Sequence, residues 1–409
     1  MNRAVLRQYA RLIIESGVNL QEGEIVCINA PVSARDLVYE TVAYAYEKGA
    51  DRVLINWYDP EIRKLDYTLG KGRRLLTPAE WEIAYRHYMV DNKVCYINML
   101  SGDPEVMADV PHDVVVRASR AQHAAFRFFS DAAQSNVIKW CIVGVPDPAW
   151  AVKVFPSLPA DEALDTLWRY VLHTVRLDTA DAVEAWRQHN EALTRRAHRL
   201  NEMGLVRLHY TNSLGTDLYV GMPDGYLFEG GSEMSASGTL FNPNMPTEEI
   251  FSAPHKYRVE GKVVASMPLY HHGVKVQGFG FEFRAGRIER YWAAEGEEVL
   301  KGIIESDEGS HYLGEVALVP YDSPISNLQT LFLDTLFDEN ASCHLAIGAA
   351  YPSCVAGGLE MDEAALEAAG INDSAEHVDF MIGTADLSIV GETRDGTQIQ
   401  IFDKGNFVF

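Results

Sequence analysis

Short apolar runs alternate with amphipathic helical segments through the first third of the chain. The segment 37–50 has the spacing of a helix, and it lies between two β-rich runs at 24–30 and 51–59. Further β-rich runs follow at 94–100 and 137–146. Strands that alternate with helices in this way predict crossover units on a parallel sheet.

The period of the apolar positions changes further along the chain. Apolar residues recur at steps of three and four over 161–201, which predicts a long helical stretch. Beyond Gly204 polar and apolar residues alternate in glycine-bounded segments, and Asp395-Gly396 is a hairpin turn signal. This pattern predicts a largely antiparallel sheet, interrupted by one further helix over 325–340.

The change in period divides the chain into two predicted domains. Residues 1–203 are expected to form an N-terminal α/β domain with a parallel sheet, and residues 204–409 a mostly antiparallel β (α+β) domain. The 409 residues are 47% hydrophobic and 23% charged. This composition is typical of soluble globular proteins that bury a sizeable core.

Charge and cysteine content limit the expected partners and compartment. The net charge of −23 would repel phosphate backbones and anionic lipid head groups, so neither nucleic acid nor a membrane is an expected partner. Five cysteines, without a CxxC pair, indicate reduced core thiols. The amino terminus is amphipathic rather than a signal peptide, and no run of about 18 apolar residues could span a bilayer. We therefore expect a cytoplasmic protein.

Several common catalytic motifs are absent from the sequence. No HExxH surrounds any of the 13 histidines, no GxSxG surrounds a serine, and neither GxxxxGK[ST] nor GxGxxG occurs. Zincins, α/β-hydrolases, P-loop proteins and dinucleotide-binding proteins therefore have no support from their sequence motifs.

Carboxylates and histidines occur in the C-terminal half at positions where solubility does not require them. Glu248 and Glu249 precede an apolar run, and adjacent residues of an extended chain point to opposite faces, so only one of them can enter a site. Glu315 begins an apolar run, where burying an unpaired carboxylate costs several kcal/mol. His377 and Asp379 are two residues apart, which places both on one face of a strand.

Three further residues complete the candidate set: Glu339 at the end of the predicted helix, His344 five residues later and Tyr351 seven residues after that. Each feature also has an explanation that involves no metal. The glutamate pair could lie at a solvated loop edge, and Glu315 at an exposed sheet edge. His344 could be a hydrogen-bonded core residue. Together, four carboxylates and two imidazoles favour a pair of divalent ions such as Zn²⁺, Co²⁺, Mn²⁺ or Mg²⁺. The candidate ligands are Glu249, Glu315, Glu339, His344, His377 and Asp379.

Four motifs at fixed separations resemble those of one known family. They are NMPTEEIFSAPHK at 244–256, the Gly-Glu-Val of 314–316, HLAIGAAY at 344–351 and HVDF at 377–380. Together they resemble the thermophilic metallo-aminopeptidases, the aminopeptidase T and aminopeptidase S family, and the resemblance extends over essentially the whole chain. It implies a homodimeric exopeptidase whose C-terminal, mostly β domain holds two divalent metal ions per protomer.

The resemblance also implies roles for individual residues. Glu249 corresponds to the second glutamate of the PTEE motif, Glu315 to the bridging glutamate and Tyr351 to the family tyrosine. The other implied ligands are Glu339, His344, His377 and Asp379. Peptides with a free amino terminus would be the substrates, attacked by a metal-activated water. Glu249 or Glu315 would accept the proton of this water, and Tyr351 would stabilise the oxyanion.

Two other functions are open on the sequence. A single-iron ring-cleaving dioxygenase on a similar fold needs only two imidazoles and one carboxylate, and it would leave Glu249 and Glu315 without a role. A binding protein without catalytic activity would usually have lost a ligand, and none is missing here. The metal content per protomer distinguishes the three functions: two divalent ions, one iron or none.

Overall fold

Residues 1–271 and 273–409 are described by the computed structural model, and they group into two compact units. The first unit comprises residues 1–188 and 232–246, and the second comprises residues 189–231 and 247–409. These units do not coincide with a single cut between residues 203 and 204. The domain limits 1–203 and 204–409 stay a prediction.

The described residues form twelve α-helices and 21 strands. The helices are α1 (Arg3–Leu12), α2 (Arg35–Glu47), α3 (Pro60–Thr68), α4 (Arg73–Leu76), α5 (Glu80–Asp91), α6 (His112–Gln134), α7 (Pro148–Val154), α8 (Ala160–Thr174), α9 (Ala182–Glu202), α10 (Glu297–Ile304), α11 (Thr335–Asp338) and α12 (Glu363–Ala368). The strands are β1 (Ile25–Pro31), β2 (Arg52–Tyr58), β3 (Cys95–Leu100), β4 (Trp140–Gly144), β5 (Leu205–Thr211), β6 (Asp217–Gly221), β7 (Glu233–Met234), β8 (Leu240–Phe241), β9 (Asn244–Met245), β10 (Ile250–Ser252), β11 (Val259–Val264), β12 (Leu269–His271), β13 (Val274–Val276), β14 (Gly280–Arg284), β15 (Arg287–Trp292), β16 (Leu313–Leu318), β17 (His344–Gly348), β18 (His377–Met381), β19 (Ser388–Thr393), β20 (Gln398–Asp403) and β21 (Asn406–Phe407).

The first unit is built on a five-stranded parallel sheet, which confirms the predicted α/β class. Its strands lie in the order β2-β1-β3-β4-β9. Gly49 follows α2 with a φ of +91°, in the left-handed region that glycine adopts without strain, and the chain then turns directly into β2. Leu12, Ile28 and Ile97 belong to the buried core between the sheet and its helices.

The second unit contains two antiparallel sheets that share one core, which confirms the predicted mostly antiparallel fold. The larger sheet has the order β15-β14-β11-β6-β5-β19-β20-β21, and the smaller has the order β10-β16-β17-β18. Phe281 of the larger sheet and Phe380 of the smaller sheet pack with their ring centroids 5.0 Å apart. The predicted turn at Asp395-Gly396 joins β19 to β20.

The two helical stretches predicted for the later part of the chain have different outcomes. The helical stretch over 161–201 is confirmed, and it consists of two helices, α8 and α9. The helix over 325–340 is wrong, because only α11 and two short 3-10 turns form there. Asp334 and Asp338 accept hydrogen bonds from backbone N–H groups of this segment, and such side-chain acceptors compete with the bonds of a continuous helix.

The cysteines and the helices agree with the composition of the sequence. All five cysteines are free and buried, as predicted for core thiols. None of the helices within residues 1–271 and 273–409 is both long enough and apolar enough to cross a lipid bilayer.

Candidate metal centre

The four-stranded sheet carries the candidate ligands on one face. Glu315 on β16 lies opposite Ala346 on β17, which lies opposite Asp379 on β18. Directly opposed residues point to the same side of a sheet, and neighbouring strands are about 4.8 Å apart. The two carboxylates therefore flank an alanine, and its small side chain leaves the space between them open.

A bulge in β16 sets the direction of Glu315. The pairing with β17 shifts between Leu313 and Glu315, so that Leu313 packs in the core while Glu315 points to the other side. Gly314 lies at this bulge, where an added Cβ would come 2.3 Å from the carbonyl oxygen of Gly348. Glycine is therefore required for β16 to approach the end of β17 this closely.

Both imidazoles are oriented by backbone carbonyls. His344 Nδ1 lies 3.1 Å from the carbonyl oxygen of Ser342, and His377 Nδ1 lies 2.8 Å from that of Ala349. A carbonyl oxygen can only accept, so Nδ1 carries the hydrogen in each ring. Nε2 is then the nitrogen available to a metal ion, as in most histidine ligands whose second nitrogen donates to a fixed acceptor.

Glu315 lies between two groups of possible ligands. Its Oε1 is 3.5 Å from His344 Nε2, which is also 3.3 Å from Glu249 Oε2. Its Oε2 is 3.3 Å from His377 Nε2, which is also 3.4 Å from Asp379 Oδ1. Each group of three offers ligand atoms within 4.8 Å of one another, and Glu315 belongs to both.

Only one of the two neighbouring glutamates enters this cluster, as the sequence predicted. Glu249 contacts His344, and its side chain is 12% exposed. Glu248 is buried elsewhere, with a carboxylate oxygen 3.6 Å from His189 Nε2. The alternation of an extended chain thus separates the two carboxylates.

Glu339 lies at the edge of the cluster and is connected to it through Asn340. Within the part of the chain that the structure describes, Glu339 belongs to neither group of three. Asn340, which is fully buried, donates from Nδ2 to Glu339 Oε1 at 3.3 Å and to the carbonyl of Leu336 at 3.0 Å. Its Oδ1 accepts the backbone N–H of Glu248 at 2.8 Å. Asn340 therefore ties the segment that bears Glu339 to the segment that bears Glu249.

Tyr351 follows β17 and lies beside the imidazole of His377. The two ring centroids are 5.4 Å apart, and the Tyr351 ring also packs against Phe251 at 5.8 Å. The residue is 38% exposed, so it is not a packed core aromatic. Desolvation of the phenol raises the pKa of Tyr351 above its usual value, although the nearby His377 opposes this effect. Tyr351 therefore keeps its proton at neutral pH.

Carboxylates outnumber cations in the cluster, and their ionisation reflects this. Burial acts to raise the pKa of Glu315, but hydrogen bonds and charge attraction from His344 and His377 outweigh it and lower the pKa to about 2. Burial, together with neighbouring carboxylates, raises the pKa of Glu249 and of Glu339. Burial acts to lower the pKa of both histidines, but the carboxylates beside them raise it well above the ordinary value.

This donor set fits divalent metal ions. Four carboxylates face two imidazoles that bring at most two positive charges, so negative charge is in excess in the cluster. Buried carboxylates of this kind are normally paired or bound to metal. Oxygen ligands with two imidazoles suit borderline or hard ions.

Some residues of the site could not be identified from the sequence. Asn340 acts through a hydrogen bond to a residue 92 positions away, and nothing in its own neighbourhood signals that contact. The carbonyls that orient the imidazoles belong to Ser342 and Ala349, which any residue type could supply. Of these residues, Gly314 alone could be recognised from the sequence, since a glycine directly before a carboxylate in a strand is typical of a bulge.

The fold and this donor set define a metalloprotein whose centre lies on one face of an antiparallel sheet. A sequence model of a thermophilic metalloprotease (M29) family matches residues 2–407. Aminopeptidase AmpS of Bacillus subtilis (strain 168) is 41% identical over 404 residues, which cover 99% of this chain and 98% of that protein. Aminopeptidase T of Thermus aquaticus is 38% identical over 403 residues, 98% of each. The chain therefore belongs to the thermophilic metalloprotease (M29) family.

Solved structures support the same placement. Wild-type AmpT from Thermus thermophilus matches with a TM-score of 0.93 at 36% identity, and the match covers 100% of both chains. The 2,5-dihydroxypyridine dioxygenase from Pseudomonas putida KT2440 matches with a TM-score of 0.53 at 11% identity, over 100% of this chain and 98% of that one. This second likeness shows a related fold alone. By its family and relatives the chain is an enzyme, a metallo-aminopeptidase, which confirms the expected class of hydrolase.

Proposed function

We propose that the enzyme removes the N-terminal residue from peptides at a centre of two divalent metal ions. The observation that carries this proposal is the position of Glu315, whose two oxygens face two separate groups of ligands. The ions would be held by Glu249, Glu315, Glu339, His344, His377 and Asp379. When bound, such ions lower the pKa of water and polarise the scissile carbonyl.

Glu249 is the proposed proton acceptor. Both oxygens of Glu315 lie near an imidazole, whereas Glu249 approaches His344 through Oε2. The other oxygen of Glu249 makes no hydrogen bond or ion pair with residues 1–271 or 273–409. A carboxylate with one free oxygen can take a proton from the attacking water and return it to the leaving amine.

Tyr351 is the proposed hydrogen-bond donor to the oxyanion. Its raised pKa keeps the phenol protonated, and its exposure leaves it accessible to a substrate. A donor aimed at developing negative charge stabilises the transition state more than the bound substrate.

Peptides with a free amino terminus are the proposed substrates, and the proposed assembly is a homodimer. The family resemblance supports both. A cytoplasmic location is proposed as well, since five buried free thiols are typical of a reducing compartment.

Metal analysis with activity measurement tests the proposal. Chelator-treated protein should lose hydrolysis of aminoacyl p-nitroanilides and regain it with Zn²⁺, Co²⁺, Mn²⁺ or Mg²⁺, with two ions bound per protomer at saturation. Full activity in verified metal-free protein would contradict metal dependence. One bound iron per protomer would instead favour the single-iron alternative, and a protein that binds no metal would favour the non-catalytic one.

A further inference from the structure

A carboxylate that the proposed mechanism does not use lies on the same side of the sheet as the metal centre. Glu229 forms an antiparallel bridge with Phe251 of β10, in which each backbone N–H donates to the other's carbonyl at 2.9 Å. Directly opposed residues of such a bridge point to the same side. Phe251 in turn lies opposite Ala317, which shares its face of β16 with Glu315. Glu229 therefore lies on the face of the sheet that carries the proposed metal ligands, which we call the site face, one strand beyond β10.

The carboxylate of Glu229 has a hydrogen bond but no cationic partner. Ser353 Oγ donates to Glu229 Oε2 at 2.7 Å. Within the part of the chain that the structure describes, no lysine, arginine or histidine forms an ion pair with it. Burial raises the pKa of Glu229, and the bond from Ser353 only partly opposes that effect. A partly buried carboxylate without a counter-charge is costly, and a bound cation would offset the cost.

Two aromatic rings lie between Glu229 and the metal centre. The rings of Phe251 and Tyr351 pack together at 5.8 Å, and Tyr351 packs against His377 at 5.4 Å. Ser353, the donor to Glu229, follows Tyr351 by two residues. From the metal centre outwards, the imidazole of His377 is therefore followed by the ring of Tyr351, the ring of Phe251 and the carboxylate of Glu229. Such rings suit an aliphatic stem, and a carboxylate at their far end suits the cation that the stem carries.

Spacing decides which cation of a substrate could reach Glu229. Glu249 directly precedes β10 and is two residues before Phe251, and Glu229 lies opposite Phe251 on the neighbouring segment, so the Cα atoms of Glu229 and Glu249 are about 8 Å apart. The free α-amine of a peptide lies two bonds from the scissile carbonyl and must stay beside the metal ligands. A lysine or arginine side chain extends about 6–7 Å from its own Cα and spans the gap.

We propose that Glu229 is a specificity-determining residue that binds the cationic side chain of an N-terminal lysine or arginine of the substrate. This inference rests on the proposed aminopeptidase function and adds the class of residue that the enzyme prefers. Phe251 and Tyr351 form the walls along which the aliphatic part of that side chain lies.

The experiment compares p-nitroanilides of lysine, arginine, norleucine and leucine in the metal-loaded full-length enzyme. Norleucine has an unbranched stem like that of lysine but no charge. The wild type should favour lysine over norleucine by at least about tenfold in kcat/KM, and Glu229→Gln should remove that preference. We expect kcat/KM for lysine and arginine to fall about 10- to 100-fold in the variant, the range for a lost charge-assisted hydrogen bond. The value for norleucine should change less than about threefold.

Glu376→Gln is the matched control. Glu376 also accepts a serine hydroxyl at 2.7 Å, from Ser306, but it directly precedes His377 and so points away from the site face. The control should keep the preference for lysine. A wild type that hydrolyses lysine and norleucine substrates equally well would overturn the inference whether or not the variant folds, and so would an equal loss for all four substrates in Glu229→Gln. Failure of the proposed function looks different, because no substrate would then show metal-dependent hydrolysis in the wild type.

Discussion

The two faces of the four-stranded sheet carry side chains of opposite chemistry. One face presents Leu345 and Phe380 to the shared core of the second unit. The other presents His344 and Asp379, which alternate with them along β17 and β18. Apolar side chains are buried because water is expelled from them, whereas carboxylates are buried only where another group compensates their charge. Substitutions of adjacent residues on one strand should therefore have different effects. A change on the core face should lower stability, and a change on the other face should impair metal binding and activity.

The first unit shows what compensation without a metal looks like. Lys139 is buried, and its ammonium lies 2.7 Å from Glu24 and 3.0 Å from the carbonyl of Asn19. One positive charge there meets one negative charge. The candidate metal centre instead sets four carboxylates against two imidazoles, so bound divalent ions would balance the negative charge that remains.

The largest expected effect comes from Glu315→Gln on the site face. Gln keeps the size of the side chain but weakens a ligand shared by both groups, so kcat/KM should fall by about a thousandfold or more. The melting temperature of the metal-free protein should change little. Steady-state kinetics, metal analysis and thermal melting check these three results.

Leu345→Ala is the matched change on the core face. Leu345 is fully buried, so its truncation should cost about 2–5 kcal/mol of stability and lower the melting temperature. Its folded fraction should keep the metal content of the wild type and near-normal kcat. If Leu345→Ala lost metal while Glu315→Gln kept it, the two faces would not have the separate roles assigned to them.

A smaller effect is expected from Tyr351→Phe, which deletes one hydroxyl. Because the phenol acts on charge that develops in the transition state, kcat should fall about a hundredfold while KM stays within a few fold. The metal content should remain that of the wild type, since the phenol is not a proposed ligand. A variant that retained more than about a third of the wild-type kcat would show that Tyr351 serves packing rather than catalysis.

Asn340→Asp tests whether metal binding depends on the hydrogen bonds that Asn340 makes to Glu339 and to the backbone of Glu248. Asp keeps an acceptor for the Glu248 N–H but replaces the donor to Glu339 with a second negative charge, so metal affinity should weaken about 10- to 100-fold. Competition with a chelator of known affinity measures this change. Asn201→Asp is the control, because Asn201 clamps the backbone of Phe228 in a similar way without contacting a proposed ligand. Equal weakening in both variants would indicate a general loss of structure.

How far the sequence could predict this site depends on the range of each interaction. His377 and Asp379 share a face because of the two-residue period of a strand, which is local and was predicted correctly. The row that joins Glu315 to Asp379 through Ala346 depends on the pairing of three strands, which no local pattern fixes. The prediction of a helix over 325–340 failed because the Asp338 carboxylate accepts hydrogen bonds from the backbone N–H groups of Phe332 and Asp334, and these bonds outweigh an apparent helical spacing.

The smallest expected effect concerns His255 of the second unit, where burial outweighs the opposing charge of the nearby Asp224 carboxylate. Burial lowers the pKa of His255, and the positive charge of Arg258 adds to this, whereas the carboxylates around His344 raise its pKa. A histidine with a lowered pKa binds fewer protons in the folded state, so the stability that it contributes is present above its unfolded pKa of about 6.5. That contribution is lost as the pH falls from there through the folded-state pKa. Between pH 7.5 and 5.5 the metal-loaded wild type should lose at most about 1 kcal/mol more stability than His255→Gln, seen as a larger drop in melting temperature. Equal drops in both proteins would show that the pKa of His255 is not lowered relative to that of an exposed histidine.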